Sequence, residues 1–296
     1  RATPLRPIAE ARANRVPIEW KAEDLPRPRF VGRQVLDDVP IDVLIPYIDW
    51  TFFFLTWELK GRFPKILDHP EHGPAAKELY QHALEMLETL KASRRVRARG
   101  VYGFWPANSE GDDIVLYTDQ DRRRERLRFP MLRRQAATSA GDFNQSLADF
   151  IAPADTGLPD FLGAFAVTGG LGAEELAAEF EHKHDDYNAI LVKALADRLA
   201  EAFAEYLHER AREDCGYGES PKLSREQLSH EEYRGIRPAF GYPACPDHTS
   251  KFTLFELLEA HEVGIRLTES CAMVPAASVS GIYLAHPKAR YFAVGR

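Results

Sequence analysis

Arg237-Pro238-Ala239-Phe240-Gly241-Tyr242-Pro243-Ala244-Cys245-Pro246-Asp247-His248 holds the densest mixture of reactive and rigid residues in the chain. Three prolines and a glycine in so short a stretch exclude a regular helix or an interior strand. The segment reads as a stiffened loop with a corner at Gly241, inexpensive to hold in one shape because its unfolded form is already restricted. An arginine, a tyrosine and free carbonyls on such a loop suit the grip of a small polar ligand. The plainer reading is a surface connection between two elements. Asp49 lies in an apolar, aromatic stretch over residues 41–57, so its carboxylate must be paired or reach the surface. It either caps a helix or faces a cationic or hydroxyl-bearing ligand. Glu201 and Glu205 stand four apart, as a weakly supported acid–base pair or as a solvated face with one carboxylate turned to a ligand. His182, His184, Asp185 and Asp186 have the spacing of metal ligands, but no third ligand follows at motif distance, and acidic residues at a helix start are ordinary dipole partners. Cys245, between two prolines and with no histidine at catalytic spacing, reads as passive. None of these residues forms a convincing acid–base pair, metal cluster or nucleophile, and ligand binding stands beside the plainer structural readings.

The elements around them are legible from periodicity. Residues 74–91 carry Ala76, Tyr80, Ala83, Leu87 and Leu90 at helical steps. Residues 101–106 and 112–117 read as two strands of an antiparallel hairpin. Residues 147–151 and 161–167 read as further strands. Residues 168–172 are glycine-rich without forming a GxGxxG fingerprint, and no Rossmann unit surrounds them. The longest helical pattern covers residues 173–212 with a break near 182–186, and Leu191, Leu195, Leu199 and Phe203 share one face. A short helix is expected over 249–261, capped by Asp247 or Thr249. Residues 282–285 and 291–294 read as two last strands across a His-Pro-Lys turn, with Tyr291 and Phe292 as sheet packing by default. The charge run 121–126 is either a solvated turn or a docking patch for an acidic redox partner. The expected fold is α+β: a twisted, mostly antiparallel sheet with long packed helices. Residues 1–30 contain five prolines among many arginines, so residues 1–35 are expected as an extended arm or linker and 36–296 as the binding domain.

The 296 residues, with hydrophobic types at 45% and charged types at 28%, describe a globular chain able to bury a large core. A formal charge of −7 disfavours a nucleic-acid partner. Three cysteines are too few for a disulfide scaffold and suit a reducing, cytoplasmic setting. No apolar run reaches the length of a membrane span, so no membrane partner is expected. The start at Arg1 is read as a cut within a longer polypeptide.

The loop at 237–248 resembles the signature loop of the activation domain of cobalamin-dependent methionine synthase. Tyr47-Ile48-Asp49-Trp50-Thr51, Ala164 to Gly170, His184 to Asn188, Ala196 to Glu205 and Ser278 to Tyr283 are similar to further segments of that family, in the family's order. The resemblance implies the family's fold and a groove for S-adenosylmethionine. It places Asp49, Glu201, Arg237, Ala239, Tyr242, Tyr291 and Phe292 at the ligand. Arg237 would take the ligand's carboxylate, and Asp49 and Glu201 its ammonium or ribose. Tyr242, Tyr291 and the loop carbonyls from Ala239 onward would take the sulfonium and adenine. The family commonly has a second tyrosine where this chain has Phe292, so a hydroxyl contact is expected to be lost there. Family members also commonly continue into a helical tail, so the end at Arg296 is read as a truncation. The resemblance further implies a role in reactivation. S-adenosylmethionine would be presented to inactive cob(II)alamin on a neighbouring cobalamin-binding domain, with the electron from flavodoxin or a flavoprotein reductase, to regenerate methylcobalamin. The fragment alone would bind S-adenosylmethionine and not make methionine. The competing expectation is a stand-alone S-adenosylmethionine-dependent methyltransferase acting on a small molecule, which would need a general base beside the methyl group.

Overall fold

Residues 100–107 carry no charged or amide side chain, and residues 100–109 are buried at every position, because the strand they form is covered on both faces. Side chains alternate along it: Ala98, Tyr102 and Phe104 enter one core, and Val101, Trp105 and Ala107 the other. The computed structural model describes residues 4–136, 139 and 141–295. In chain order the elements are α1 (Ile8–Ala13), β1 (Gly32–Val39), α2 (Ile41–Leu44), α3 (Trp50–Leu55), α4 (Gly73–Ser93) and β2 (Arg97–Glu110). There follow β3 (Asp113–Tyr117), β4 (Glu125–Pro130), β5 (Asp160–Leu171), α5 (Ala173–His182), α6 (Asp186–Asp214) and α7 (Arg225–Ser229). The chain closes with α8 (Ser250–Leu258), β6 (Arg266–Leu267), β7 (Met273–Val274) and β8 (Ser278–Tyr283).

One antiparallel sheet runs β4-β3-β2-β5-β8. β5 pairs with β2 along its whole length, from Ala107 opposite Asp160 to Arg97 opposite Leu171. The other edge of β2 is shared end to end by β1, opposite residues 98–104, and β3, opposite 107–110. β6 and β7 form a separate two-stranded ribbon. The α+β architecture expected from the sequence is therefore present, with the hairpin at β2–β3 and the helices at α4, α5 and α6. The first core lies between one sheet face and α2, α3, α4 and α6; the second lies between the other face, α8 and the loop from Ile236 to Cys245.

α6 lies close on the sheet. A methyl group at Gly169 would meet the backbone nitrogen of Ala200 at 2.7 Å, and α6 presents Ala196, Ala200 and Ala204 as buried residues. The glycine run after β5 thus serves helix–sheet contact, with Gly172 in the left-handed region (φ 84°) starting α5. The break between α5 and α6 falls at His184 (φ 60°). There the Asp185 carboxylate caps α6 by accepting from the Asn188 N–H (3.1 Å) and side-chain amide (2.7 Å). Among the described residues, no helix is long and apolar enough to cross a membrane, and no group of three or more His, Cys, Asp or Glu side chains is placed to hold a metal ion.

Several expectations require correction. Residues 147–150 form a 3-10 turn, not a strand. Its capping box uses Ser146 and Asp149, and Asp149 is also bound by Arg133 at 2.6 and 2.9 Å, so local polar bonds prevail over the apolar run. Residues 291–294 are not a strand; the segment is tied by single contacts such as Val294 N–H to the Pro243 carbonyl (2.9 Å). Of 282–285, only Ile282 and Tyr283 belong to β8, while Leu284 makes an isolated bridge to Ile236. The helix at 249–261 splits into α8 and a 3-10 turn over Ala260–Val263. Arg122, in the charge run read as solvated or docking, folds back instead: its Nη2 donates to the Asp160 carbonyl (2.7 Å) and its Nη1 to the Ala107 carbonyl (3.1 Å). Residues 4–31 are docked on the domain. Arg27 and Arg29 donate backbone N–H groups to the Cys215 and Asp214 carbonyls (3.1 and 2.8 Å), Ala11, Val16 and Leu25 are buried, and β1 already begins at Gly32.

Candidate ligand groove along α6

α6 carries Glu201, Glu205, His208, Glu209 and Arg212 at steps of three and four, so they lie on adjoining turns of one side of the helix. Two other elements flank that side. The segment around Asp49 is pinned to α6 by the Tyr47 hydroxyl donating to Glu209 (3.0 Å) and by Arg198 over the Phe52 ring (5.8 Å). It therefore runs beside the stretch of α6 that includes Glu201 and Glu205. On the other flank, residues 236–238 extend the sheet: Ile236 exchanges N–H bonds with Leu284 (2.9 and 3.0 Å), and the Pro238 carbonyl accepts from Ile282 (3.0 Å). Alternation along this extended piece sends Ile236 into the second core and turns Arg237 the other way, onto α6.

Arg237 is the best-anchored polar side chain of the groove. Its Nη1 lies 2.7 Å from Glu205, 3.3 Å from the Tyr233 hydroxyl and 3.5 Å from His208 Nδ1. Its backbone N–H donates to the Tyr291 hydroxyl (3.0 Å). Burial disfavours the guanidinium charge, but Glu205, with the Tyr233 and Tyr291 hydroxyls, outweighs it and holds the Arg237 pKa above the ordinary arginine value. Beneath it, His208 is fully buried, stacked on Tyr283 (ring centroids 5.1 Å) and edge-on to Tyr233 (4.8 Å). Burial, reinforced by Arg237 and Arg212, pushes His208 well below the ordinary histidine range, so it is neutral and its Nδ1 can accept. Arg212 is also buried, with Nε donating to Glu219 (2.9 Å) and its guanidinium over the Tyr233 ring (4.4 Å).

The expected site residues take distinct places. Arg237 and Tyr291 meet directly. Asp49 caps α3, Oδ1 accepting from the Thr51 N–H (2.9 Å), and its carboxylate is exposed. Glu201 is exposed on α6, one turn before Glu205. Tyr242 stands 63% exposed at the tip of the loop. The Ala239 carbonyl is occupied internally, accepting from the Tyr242 N–H (3.2 Å) and the Cys245 thiol (3.1 Å). Burial pushes that thiol up to about 12, in keeping with a passive cysteine. Phe292 packs against the second core with its ring 6.4 Å from Phe150, away from Arg237. Reading the sequence missed His208, Tyr233 and the pairing of Glu205 with Arg237. The signal available was the step of three from Glu205 to His208 on one helix; Tyr233 lies outside any helix, so its spacing to Arg237 carried none. A cavity of about 670 Å³ between residues 13–20 and the β2–β3 turn contains none of these residues.

Chemically, the arrangement offers an anchored guanidinium between exposed carboxylates and a tyrosine. That set complements a zwitterionic amino-acid moiety. The family model for the vitamin B12 dependent methionine synthase activation domain matches residues 40–296. A crystal structure of the MetH reactivation domain bound to AdoHcy superimposes with a TM-score of 0.96 at 49% identity, covering 99% of this chain and 90% of that one.

Proposed function

Because the chain belongs to the vitamin B12 dependent methionine synthase activation domain family, we propose that the groove along α6 binds S-adenosylmethionine and presents its methyl group to a cobalamin carried by a neighbouring domain. The observation that carries this reading is the anchoring of Arg237: one nitrogen is engaged by Glu205, Tyr233 and His208, and its backbone is latched by Tyr291. The reactivation domain similar to this chain is bound to AdoHcy, the product that remains once S-adenosylmethionine has given up its methyl group.

In this reading Arg237 takes the ligand's carboxylate by a charge-assisted fork. Asp49 and Glu201 take the ammonium or the ribose hydroxyls. Tyr291 and the exposed Tyr242 flank the sulfonium and adenine, while Phe292 contributes through its backbone and Ala239 through its N–H, its carbonyl being engaged within the loop. A cobalamin held by the neighbouring domain, once reduced from cob(II) by one electron from a flavodoxin or flavoprotein reductase, would supply the nucleophile that accepts the methyl group, and these residues would be left holding S-adenosylhomocysteine. A sulfonium is already a good leaving group, so these residues act by placement and no general acid or base is required of them. The fragment alone binds S-adenosylmethionine and does not make methionine, and the enzyme works in the cytoplasm.

The test is transfer of a labelled methyl group from S-adenosylmethionine to cobalamin on the full enzyme under reducing conditions, with and without Arg237→Ala. Transfer lost or strongly slowed in the variant supports the reading. Undiminished transfer overturns it.

A further inference from the structure

We infer that Glu205 and His208 are positioning residues for Arg237: they draw Nη1 toward α6 and so present the opposite Nε–Nη2 edge of the guanidinium to the groove. The inference rests on the S-adenosylmethionine reading and adds to it two residues that work through another side chain.

The geometry is one-sided. Every partner of the Arg237 guanidinium among the described residues is on Nη1: Glu205 at 2.7 Å, Tyr233 at 3.3 Å and His208 at 3.5 Å. Nε and Nη2 have no hydrogen-bond partner there, yet neither is among the buried atoms left unpaired. They therefore retain contact with solvent, on a side chain that is 19% exposed. A guanidinium is planar and rigid, so fixing one corner fixes the direction of the remaining edge. Glu205 and His208 are three residues apart on α6 and approach the same nitrogen from one helix.

The arrangement is also unfavourable as pure structure. With Nδ1 accepting from Arg237, the His208 proton sits on Nε2, which is buried without a partner, as is Glu205 Oε1. Unpaired buried polar atoms carry a desolvation penalty. A side chain selected for stability alone would not place His208 here; holding an arginine edge explains why it stands there.

The discriminating probe is decarboxylated S-adenosylmethionine, which lacks the group Arg237 is read to bind. Calorimetric titrations would compare wild type, Glu205→Ala, Glu205→Gln, His208→Leu and Arg237→Ala, each checked for an unchanged far-ultraviolet spectrum and cooperative melting. Glu205→Ala and His208→Leu are expected to weaken S-adenosylmethionine binding about tenfold, or 1.4 kcal/mol, and to leave the decarboxylated ligand within about twofold. Glu205→Gln, which keeps an acceptor and removes a negative charge, is expected to bind at least as tightly as wild type. Combining Glu205→Ala with Arg237→Ala should add no further loss. Equal losses for both ligands, or additive losses in the double variant, would overturn the positioning role while leaving the binding site itself intact. If Arg237→Ala alone left S-adenosylmethionine binding unchanged, the carboxylate reading would fail and the positioning role with it. Should His208→Leu fail to fold, the half-buried Glu205 variants decide the matter.

Discussion

The Tyr291 hydroxyl accepts the backbone N–H of Arg237 at 3.0 Å. A residue near the C-terminus thereby fixes the main chain of the residue that faces α6. Removing that acceptor leaves an N–H unpaired, at about 1–3 kcal/mol if no water replaces it. Tyr291→Phe is therefore expected to weaken S-adenosylmethionine binding by about three- to tenfold while keeping the fold, as measured by calorimetry and thermal melting. An unchanged affinity would mean that the latch does not act on the ligand.

Asp49 has two roles that substitutions can separate. Its Oδ1 caps α3, a contribution of about 0.5–2 kcal/mol. Asn is as good a cap but carries no charge. Asp49→Asn is expected to melt like wild type and bind S-adenosylmethionine about tenfold more weakly; Asp49→Ala is expected to lose both stability and affinity. If the Asn variant bound normally, Asp49 would be a cap only.

Packing of α6 on β5 leaves no room at Gly169, where an added methyl group would meet the Ala200 nitrogen at 2.7 Å. Overpacking of this kind costs about 1–3 kcal/mol. Gly169→Ala is expected to lower the unfolding free energy by that amount, seen as a lower denaturant midpoint with the slope unchanged. A neutral result would show that α6 can shift outward without penalty.

His286 couples the docked N-terminal segment to pH. It packs edge-on to Trp20 (4.8 Å), and burial lowers its pKa to about 4, Arg234 and Lys288 lowering it further against the pull of Asp24. A depressed folded-state pKa means that the unfolded chain binds the proton more readily. The stability is full above the unfolded value of about 6.5 and is lost as pH falls toward about 4. The buried His208 shifts in the same direction. Denaturant melts at pH 7 and pH 5, followed by tryptophan fluorescence, are expected to show a loss at pH 5 that is smaller in His286→Leu. An identical pH dependence in the variant would remove His286 from the account.

What could be read from the sequence was what periodicity and local chemistry dictate. The face of α4, the hairpin of β2 and β3, and the break before Asp185 were all legible because side-chain spacing and caps act within a few residues. β1 straddles the expected boundary at residue 35 and was not seen as a strand, since it is an edge strand burying only Leu36 and Val39 among polar and exposed neighbours. The 3-10 turn after Ser146 was misread because a distant arginine, Arg133, decides the role of Asp149. At the groove, the loop residues were visible by type, but the partner of Arg237 was not. Glu205 comes from another element, and only the docking of residues 236–238 onto β8 brings the two together. Likewise the sequence does not show that Phe292, adjacent to Tyr291, turns into the second core.

The most direct test of the central claim is calorimetric titration of this chain with S-adenosylmethionine, alongside Arg237→Ala. The account predicts saturable binding of one ligand per chain, weakened about a hundredfold or more in the variant, since a charge-assisted bidentate contact is worth about 3 kcal/mol. Binding of equal strength in both proteins, or none to the folded wild type, would contradict it.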